Sequence, residues 1–244
     1  MTTPRILATS GGFIPGPVQG TARLGNMILG ALAVTKKDRP RVCLVETAGG
    51  DPSDWYAVLY EAFNAAGCDV TQLKLFTQPS ADPTERLTSC DFVWVGGGSV
   101  ANLLALWRLH GVDLAMREAW KKGVILAGVS AGSLCWHDGG TTDSFGPTLQ
   151  PVTNALGFLP YANGVHYDSE AQRRPLLQQL MRDGVLGPLA FCTDDHVGIW
   201  YEGTEPTTVV ADLDADPGTG PAAYRTELVN GEITEIRVPV GKRF

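Results

Sequence analysis

A serine flanked by glycines is the residue in this chain best suited to act as a nucleophile. Ser130 lies in Gly128-Val129-Ser130-Ala131-Gly132, directly after the apolar run Val124-Ile125-Leu126-Ala127. A strand that turns sharply into a helix at such a serine exposes its hydroxyl, and the two glycines leave room for the turn. The first amides of the helix then face the site and favour developing negative charge. The pattern predicts a nucleophile elbow, and its alternative is a plain tight turn between strand and helix.

A serine nucleophile needs a base, and the chain contains four histidines. A short strand ending at His166 would bring its imidazole to the edge where Ser130 lies, so His166 is a candidate for the base. His196, just before another strand-like run, is a second candidate. The remaining two are predicted to lie on or at the end of helices, away from the nucleophile: His110 and His137.

The base in turn needs a carboxylate that fixes its tautomer and stabilises the imidazolium. Asp143, on the segment that follows the predicted elbow, is the first choice for this acid. Three other aspartates stay open as alternatives: Asp138, Asp168 and Asp195.

An oxyanion hole needs two backbone amides close to the nucleophile. The amide of Ala131, the residue after Ser130, is one candidate. The second is expected from Gly96-Gly97-Gly98, where glycine lets the backbone approach a substrate closely. Gly98 is favoured, and Gly97 is the other substrate-binding candidate in the loop. A phosphate-binding loop is disfavoured, because the segment has neither the P-loop lysine nor a GxGxxG pattern.

Short apolar runs alternate with helical patterns through the first half of the chain. This alternation predicts an α/β fold of three layers, a doubly wound and mostly parallel sheet with helices on both faces. Several predicted strands end in glycine or small polar residues, and these ends should meet at one edge of the sheet, where ligands bind in such folds. They are Ser10-Gly11-Gly12, Gly49-Gly50, Gly96-Gly97-Gly98 and Ser130.

The second half of the chain differs in character. Residues 138–163 are rich in Gly, Pro and Thr and have little periodicity, which is typical of a long functional loop. From about residue 206, short strand-like runs joined by turns predict a β-rich C-terminal extension of the sheet, with antiparallel strands. We expect residues 1–244 to form a single domain.

Composition and charge exclude several classes of function. The net charge of −7 disfavours nucleic acid as a partner, because phosphate binding needs a basic surface. No apolar run approaches 18 residues, and the N-terminus resembles no signal peptide, so we expect a cytoplasmic protein without a membrane partner. The five cysteines are scattered and lack metal-binding spacing, so neither a metal nor another cofactor is expected. The sequence allows a monomer or a homodimer.

Four motifs, in this order, resemble the peptidase E family, the aspartyl dipeptidase group of serine peptidases that also includes cyanophycinase. They are Gly96-Gly97-Gly98-Ser99, Gly128-Val129-Ser130-Ala131-Gly132-Ser133, Thr141-Thr142-Asp143 and Val165-His166-Tyr167-Asp168. The resemblance extends from about residue 10 to residue 202. It implies a flavodoxin-like fold akin to class I glutamine amidotransferases, with serine in place of their cysteine.

The resemblance also implies hydrolysis of short peptides, which in the type member carry an N-terminal aspartate. Ser130 would be the nucleophile and His166 the base, with Asp143 as the acid, slightly offset from the family's pattern. Arg173 and Arg174 could bind a substrate carboxylate, or they could simply form a solvated helix face. The alternatives are an esterase or other acyl hydrolase with the same triad, and a non-catalytic binding protein on this fold.

Overall fold

The computed structural model describes residues 3–244, which form fifteen strands and seven α-helices. The strands are β1 (Arg5–Thr9), β2 (Phe13–Pro15), β3 (Ala22–Leu24), β4 (Arg41–Val45), β5 (Asp69–Gln72), β6 (Phe92–Val95), β7 (Ile125–Val129), β8 (Gly139–Thr142), β9 (Gln150–Val152), β10 (Ala162–Gly164), β11 (Leu189–Thr193), β12 (Val197–Glu202), β13 (Glu205–Ala211), β14 (Ala222–Val229) and β15 (Glu232–Pro239). The helices are α1 (Asn26–Val34), α2 (Ser53–Ala65), α3 (Pro83–Thr88), α4 (Val100–His110), α5 (Val112–Lys121), α6 (Ala131–Leu134) and α7 (Arg173–Arg182).

The larger sheet has seven strands in the order β13-β12-β1-β7-β6-β4-β5. Five of these strands run parallel to one another, namely β1, β7, β6, β4 and β5. The strands β12 and β13 are antiparallel and lie at the edge next to β1. Alternate residues of β6 show how both faces are covered. Phe92 and Trp94 pack with α1 and α2, whereas Val93 and Val95 pack with α4 and α5. The three-layer, doubly wound α/β fold predicted from the sequence is confirmed.

A second, six-stranded sheet has the order β15-β14-β11-β10-β8-β9 and was not predicted. One of its faces packs against α7, and Phe191 and Ala223 contribute to the main core from the other. The predicted C-terminal extension is therefore divided: β13 joins the first sheet, and β14 and β15 join the second. The segment 138–163, expected to be a loop, contains β8 and β9 and enters β10. Which strands pair with one another is determined by contacts between residues far apart in the sequence, and the local alternation of apolar and polar residues does not encode these contacts.

The ends of four central strands meet at one edge of the larger sheet, as predicted. Thr9 of β1 is in register with Val129 of β7, Val95 of β6 is in register with Gly128 of β7, and Val45 of β4 is in register with Val95. The residues that follow these strands therefore lie side by side. None of the helices in residues 3–244 has the length and apolar character needed to cross a membrane.

Candidate active site

Ser130 occupies a strained turn between β7 and α6. Its φ of 56° and ψ of −112° lie in a region that non-glycine residues rarely adopt. The Ser130 amide donates a hydrogen bond to the Thr9 carbonyl at 3.0 Å, which ties the turn to β1. Such strain persists only where the surrounding structure enforces it, and it is concentrated at functional sites.

The glycines around Ser130 are required by close backbone contacts. A Cβ on Gly128 would overlap the carbonyl oxygen of Gly132, and one on Gly132 would overlap that of Val95. The chain turns here with three backbone segments in contact. The glycine spacing that predicted the elbow therefore has a steric cause.

The loop after β6 lies against the serine. A Cβ built on Gly97 would be 3.4 Å from Ser130 Cβ, and Gly98 has a φ of 130° that glycine tolerates best. The ends of the loop are fixed, because Gly96 N donates to Val45 O and Ser99 N donates to Ala48 O.

Three backbone amides near Ser130 are free to bind an oxyanion. Among residues 3–244, the amides of Gly97, Gly98 and Ala131 have no hydrogen-bond acceptor. These are the donors that the sequence nominated. They lie beside the serine and are free, as oxyanion donors must be before substrate arrives.

His166 is hydrogen-bonded to Asp195. His166 Nδ1 lies 2.5 Å from Asp195 Oδ1, and the two side chains are 23 % and 37 % exposed. Burial acts to raise the pKa of Asp195, but hydrogen bonds from His166 and Ser169 outweigh it and leave the pKa below its ordinary value. Asp195 is therefore a carboxylate at neutral pH and can stabilise an imidazolium. Asp168 holds the loop by accepting a bond from the Asp195 amide at 2.8 Å.

Ser130 and His166 are held to consecutive residues of one strand end. Ser130 N donates to Thr9 O, and His166 N donates to Ser10 Oγ at 3.0 Å. No hydrogen bond joins Ser130 Oγ to the His166 ring in the described part of the chain. With Nδ1 bonded to Asp195, the ring nitrogen left for the serine is Nε2. Hydrogen bonds of this kind commonly shorten only when substrate binds.

Asp143, the first choice for the acid, lies elsewhere. Its exposed side chain is on the loop after β8 and forms no hydrogen bond with His166. It lines a surface cavity of about 510 Å³ together with Glu170 and Gln172. Asp138 is also exposed and makes no bond to His166. The geometry favours Asp195 over Asp143, Asp138 and Asp168.

Both arginines nominated for substrate binding are occupied by other groups. Arg173 pairs with Glu170 at 2.9 Å and donates to Thr141 O, with its side chain almost fully buried. Arg174 pairs with Glu235 and stacks on the rings of Tyr167 and Tyr224. Neither guanidinium is free, so the nomination of Arg173 and Arg174 does not fit this geometry.

The remaining candidates have ordinary structural surroundings. His137 is fully buried, with Nδ1 3.0 Å from Ser133 O, and burial lowers its pKa to about 4. His110 ends α4 next to Gly111, as expected. The five cysteines are free, buried thiols. Within residues 3–244, no group of three or more His, Cys, Asp or Glu side chains could hold a metal ion.

A buried glutamate supports the glycine loop and was missed in the sequence. Glu46 is 2 % exposed, and its Oε2 occupies the space that a Cβ on Gly96 would need. Its Oε1 has no hydrogen-bond partner among the described residues. Burial, reinforced by the charge of Asp51, raises the Glu46 pKa to about 8. The available signal was its position directly after the buried strand β4.

Glu46→Gln is expected to stabilise the protein at neutral pH. The carboxyl stays protonated in the fold but ionises above about pH 4.5 when unfolded. The stability it contributes is full below that pH and is lost as the pH rises toward 8, a deficit of about 3 kcal/mol at pH 7. Urea unfolding at pH 5, 7 and 8 should show the variant's advantage growing with pH. Glu61→Gln, at an exposed site, should change stability by less than about 0.5 kcal/mol. An advantage independent of pH would contradict this account of Glu46.

A strained serine on a strand–helix turn, free amides beside it and a histidine–aspartate pair at the same sheet edge are together typical of serine hydrolases. Comparison with known proteins defines the class more closely. Residues 6–209 match peptidase family S51, and the chain belongs to this family. It is therefore a serine peptidase, and the predicted relation to peptidase E is confirmed.

Individual relatives agree with this assignment. The chain is 37 % identical over 206 residues to YgaJ of Bacillus subtilis, named as an uncharacterised peptidase, covering 84 % of this chain and 86 % of the relative. It is 30 % identical over 128 residues to peptidase E of Streptomyces coelicolor, covering 52 % and 51 % of the two chains.

Solved structures share the fold. A peptidase from an acI-B1 actinobacterium superposes with a TM-score of 0.71 at 15 % identity, over 99 % of this chain and 96 % of the other. A Listeria monocytogenes protein assigned to peptidase E gives a TM-score of 0.60 at 17 % identity, over 87 % and 100 %.

Proposed function

We propose that this peptidase hydrolyses short peptides through an acyl-enzyme formed on Ser130, with His166 as base and Asp195 as the acid that orients it. The observation that carries the proposal is the attachment of Ser130 and His166 to the consecutive residues Thr9 and Ser10. The strained elbow and the 2.5 Å bond from His166 to Asp195 support it.

In the first half of the reaction, His166 Nε2 takes the proton from Ser130 Oγ as that oxygen attacks the scissile carbonyl carbon. The carbonyl π electrons move to oxygen, and the resulting oxyanion binds the amides of Ala131 and Gly98 or Gly97. Asp195 stabilises the imidazolium through Nδ1. The tetrahedral intermediate then collapses, and His166 gives its proton to the leaving amine. An ester on Ser130 and a free amine remain.

In the second half, a water molecule replaces the departed amine beside His166. His166 removes a proton from the water as its oxygen attacks the ester carbon, and the same amides hold the second oxyanion. The Ser130 oxygen leaves with the proton returned by His166. The products are a carboxylic acid and the restored serine hydroxyl.

The substrates proposed are short peptides with a free N-terminus, Asp-X dipeptides among them. This part rests on the family, since the relative from Streptomyces coelicolor is named peptidase E. Arg173 and Arg174 are each paired with a glutamate of the protein, so the proposal assigns neither of them to an aspartate side chain of the substrate.

The test is a panel of Asp-X and Gly-X dipeptides assayed beside p-nitrophenyl esters, together with labelling by a fluorophosphonate probe. We expect dipeptide cleavage, and mass spectrometry should place the label on Ser130. Ester cleavage without any peptide cleavage would favour an acyl hydrolase acting on other substrates. A protein that neither cleaves peptides nor reacts with the probe would overturn the proposal.

A further inference from the structure

A second histidine–aspartate pair lies next to the first. His196 Nδ1 is 3.2 Å from Asp212 Oδ2, and the His196 side chain is 56 % exposed whereas that of Asp212 is fully buried. The Asp212 Oδ2 atom also accepts a bond from Gly12 N at 2.7 Å. Its Oδ1 atom is buried without a hydrogen-bond partner among the described residues. The mechanism proposed above uses neither residue.

The Asp212 carboxylate is enclosed by backbone. A Cβ on Gly11 would overlap Oδ2, and a Cβ on Gly25 would overlap Oδ1. Burial raises the pKa of Asp212, and the hydrogen bonds from Gly12 N and His196 act against this rise. A positive partner therefore stabilises the charged form of this carboxyl. In residues 3–244, His196 is the one Lys, Arg or His side chain that forms an ion pair with it. Since Nδ1 faces Asp212, His196 Nε2 is the nitrogen left for a ligand.

The position of His196 follows from the same strand end that holds the catalytic groups. His196 N donates to Ser10 O at 2.9 Å, while the hydroxyl of Ser10 accepts the bond from His166 N. Thr9 is in register with Val129 of β7 on one side and with Gly198 of β12 on the other. Because neighbouring strands are about 4.8 Å apart, the backbone of His196 lies roughly 10 Å from that of Ser130.

The two sides of Ser130 have different parts in the proposed reaction. Gly97 and Gly98 lie on the β6 side, where they would receive the carbonyl oxygen. His166 is bonded to Asp195, which lies just before β12, so the His166 ring is on the β12 side. In the proposed reaction His166 must protonate the leaving amine. The leaving residue is therefore directed toward β12, where His196 is exposed.

We propose that His196 is a specificity-determining residue that binds the free α-carboxylate of the leaving residue through Nε2, with Asp212 holding the imidazole ring. This inference rests on the proposed function. In a dipeptide, the carboxylate is separated from the leaving nitrogen by one carbon atom, so it enters the β12 side together with that nitrogen. When the ring carries both protons, His196 can donate from Nδ1 to Asp212 and from Nε2 to such a carboxylate, and the second of these is a charge-assisted hydrogen bond. The site therefore selects peptides that end one residue after the scissile bond.

The experiment takes the dipeptides that the wild type cleaves fastest and compares each of them with the same dipeptide carrying a C-terminal amide. We expect the wild type to prefer the free acid, mainly through KM. His196→Gln should raise KM for the free acid by about tenfold to 100-fold, leave kcat within about threefold and leave KM for the amide nearly unchanged. His110→Gln, at the distant end of α4, is the matched control and should behave as the wild type does.

The outcomes separate this inference from the proposed function. A wild type that cleaves acid and amide with equal kcat/KM overturns the role of His196 alone, and so does a His196→Gln variant that keeps the preference for the acid. A wild type that cleaves neither form overturns both. Loss of kcat on both substrates in His196→Gln would indicate a disturbed His166–Asp195 pair and would also overturn the inference.

Discussion

Replacing Ser130 with alanine is expected to lower kcat/KM for peptide cleavage by at least about 10⁴-fold while leaving the fold intact. The fold should survive because the Ser130 hydroxyl makes no hydrogen bond within residues 3–244. The amide of residue 130 keeps its bond to Thr9 O, and alanine has the same Cβ, so the strain of the positive φ is unchanged. Steady-state kinetics on a cleaved dipeptide, with a thermal unfolding curve of each protein, would measure both parts.

The control for this variant is another serine three residues along. Ser133 lies in α6 and is fully buried, with Oγ 3.1 Å from Asn163 Oδ1. Ser133→Ala should reduce the free energy of unfolding by about 1 kcal/mol yet retain most of the activity. If Ser130→Ala cleaved peptides at the wild-type rate, the elbow would not be the source of the nucleophile.

The parts of the candidate site whose placement in the fold can be predicted from the sequence are local ones. The elbow needs a buried strand followed by a serine with glycines two residues before and after it. All of these features lie in one continuous stretch of the sequence. The Gly96–Gly98 loop is similar, since its glycines follow a short apolar strand directly. The atoms that exclude a Cβ at Gly128, Gly132 and Gly98 are backbone carbonyl oxygens of neighbouring segments, whereas at Gly96 they belong to the Glu46 side chain. The fold class follows for the same reason, because alternation of strand and helix is a local pattern.

The acid beside His166 is not local, and this is why the sequence left it open. Asp194 and Asp195 are neighbours in the chain and identical in type. Asp194 turns inward and accepts bonds from Ala222 N and Tyr224 Oη, whereas Asp195 turns to His166. The difference depends on which side of β11 and β12 each residue faces. That depends on pairing with β14, which comes almost 30 residues later.

The arginines illustrate the same limit for charged groups. Arg173 and Arg174 are adjacent, and either could have faced a substrate. Arg173 pairs with Glu170, three residues before it, and Arg174 pairs with Glu235, which lies on β15. Asp212 is a further example, because only the close passage of Gly11 and Gly25 turns a strand-end aspartate into an enclosed partner for His196.

Asp195→Asn is expected to lower kcat by about 10²- to 10⁴-fold, with a much smaller change in KM. Asparagine has the volume of aspartate but cannot stabilise the imidazolium. The asparagine NH₂ group can also donate a hydrogen bond to His166 Nδ1. The ring proton would then lie on Nε2, and Nε2 could no longer accept the proton of Ser130. Asp143→Asn removes the same charge from an exposed loop and should change kcat by less than about threefold.

Comparing these two variants decides between the acid favoured by the geometry and the one favoured by the motif. The charge change is equal, so any general electrostatic effect on the site is shared. Fluorophosphonate labelling adds a second reading, since it reports how readily Ser130 is activated without depending on peptide binding. Asp195→Asn should be labelled slowly and Asp143→Asn at nearly the wild-type rate. The reverse order would mean that the loop bearing Asp143 moves to His166 when substrate binds, and that the 2.5 Å bond to Asp195 belongs to the resting enzyme only.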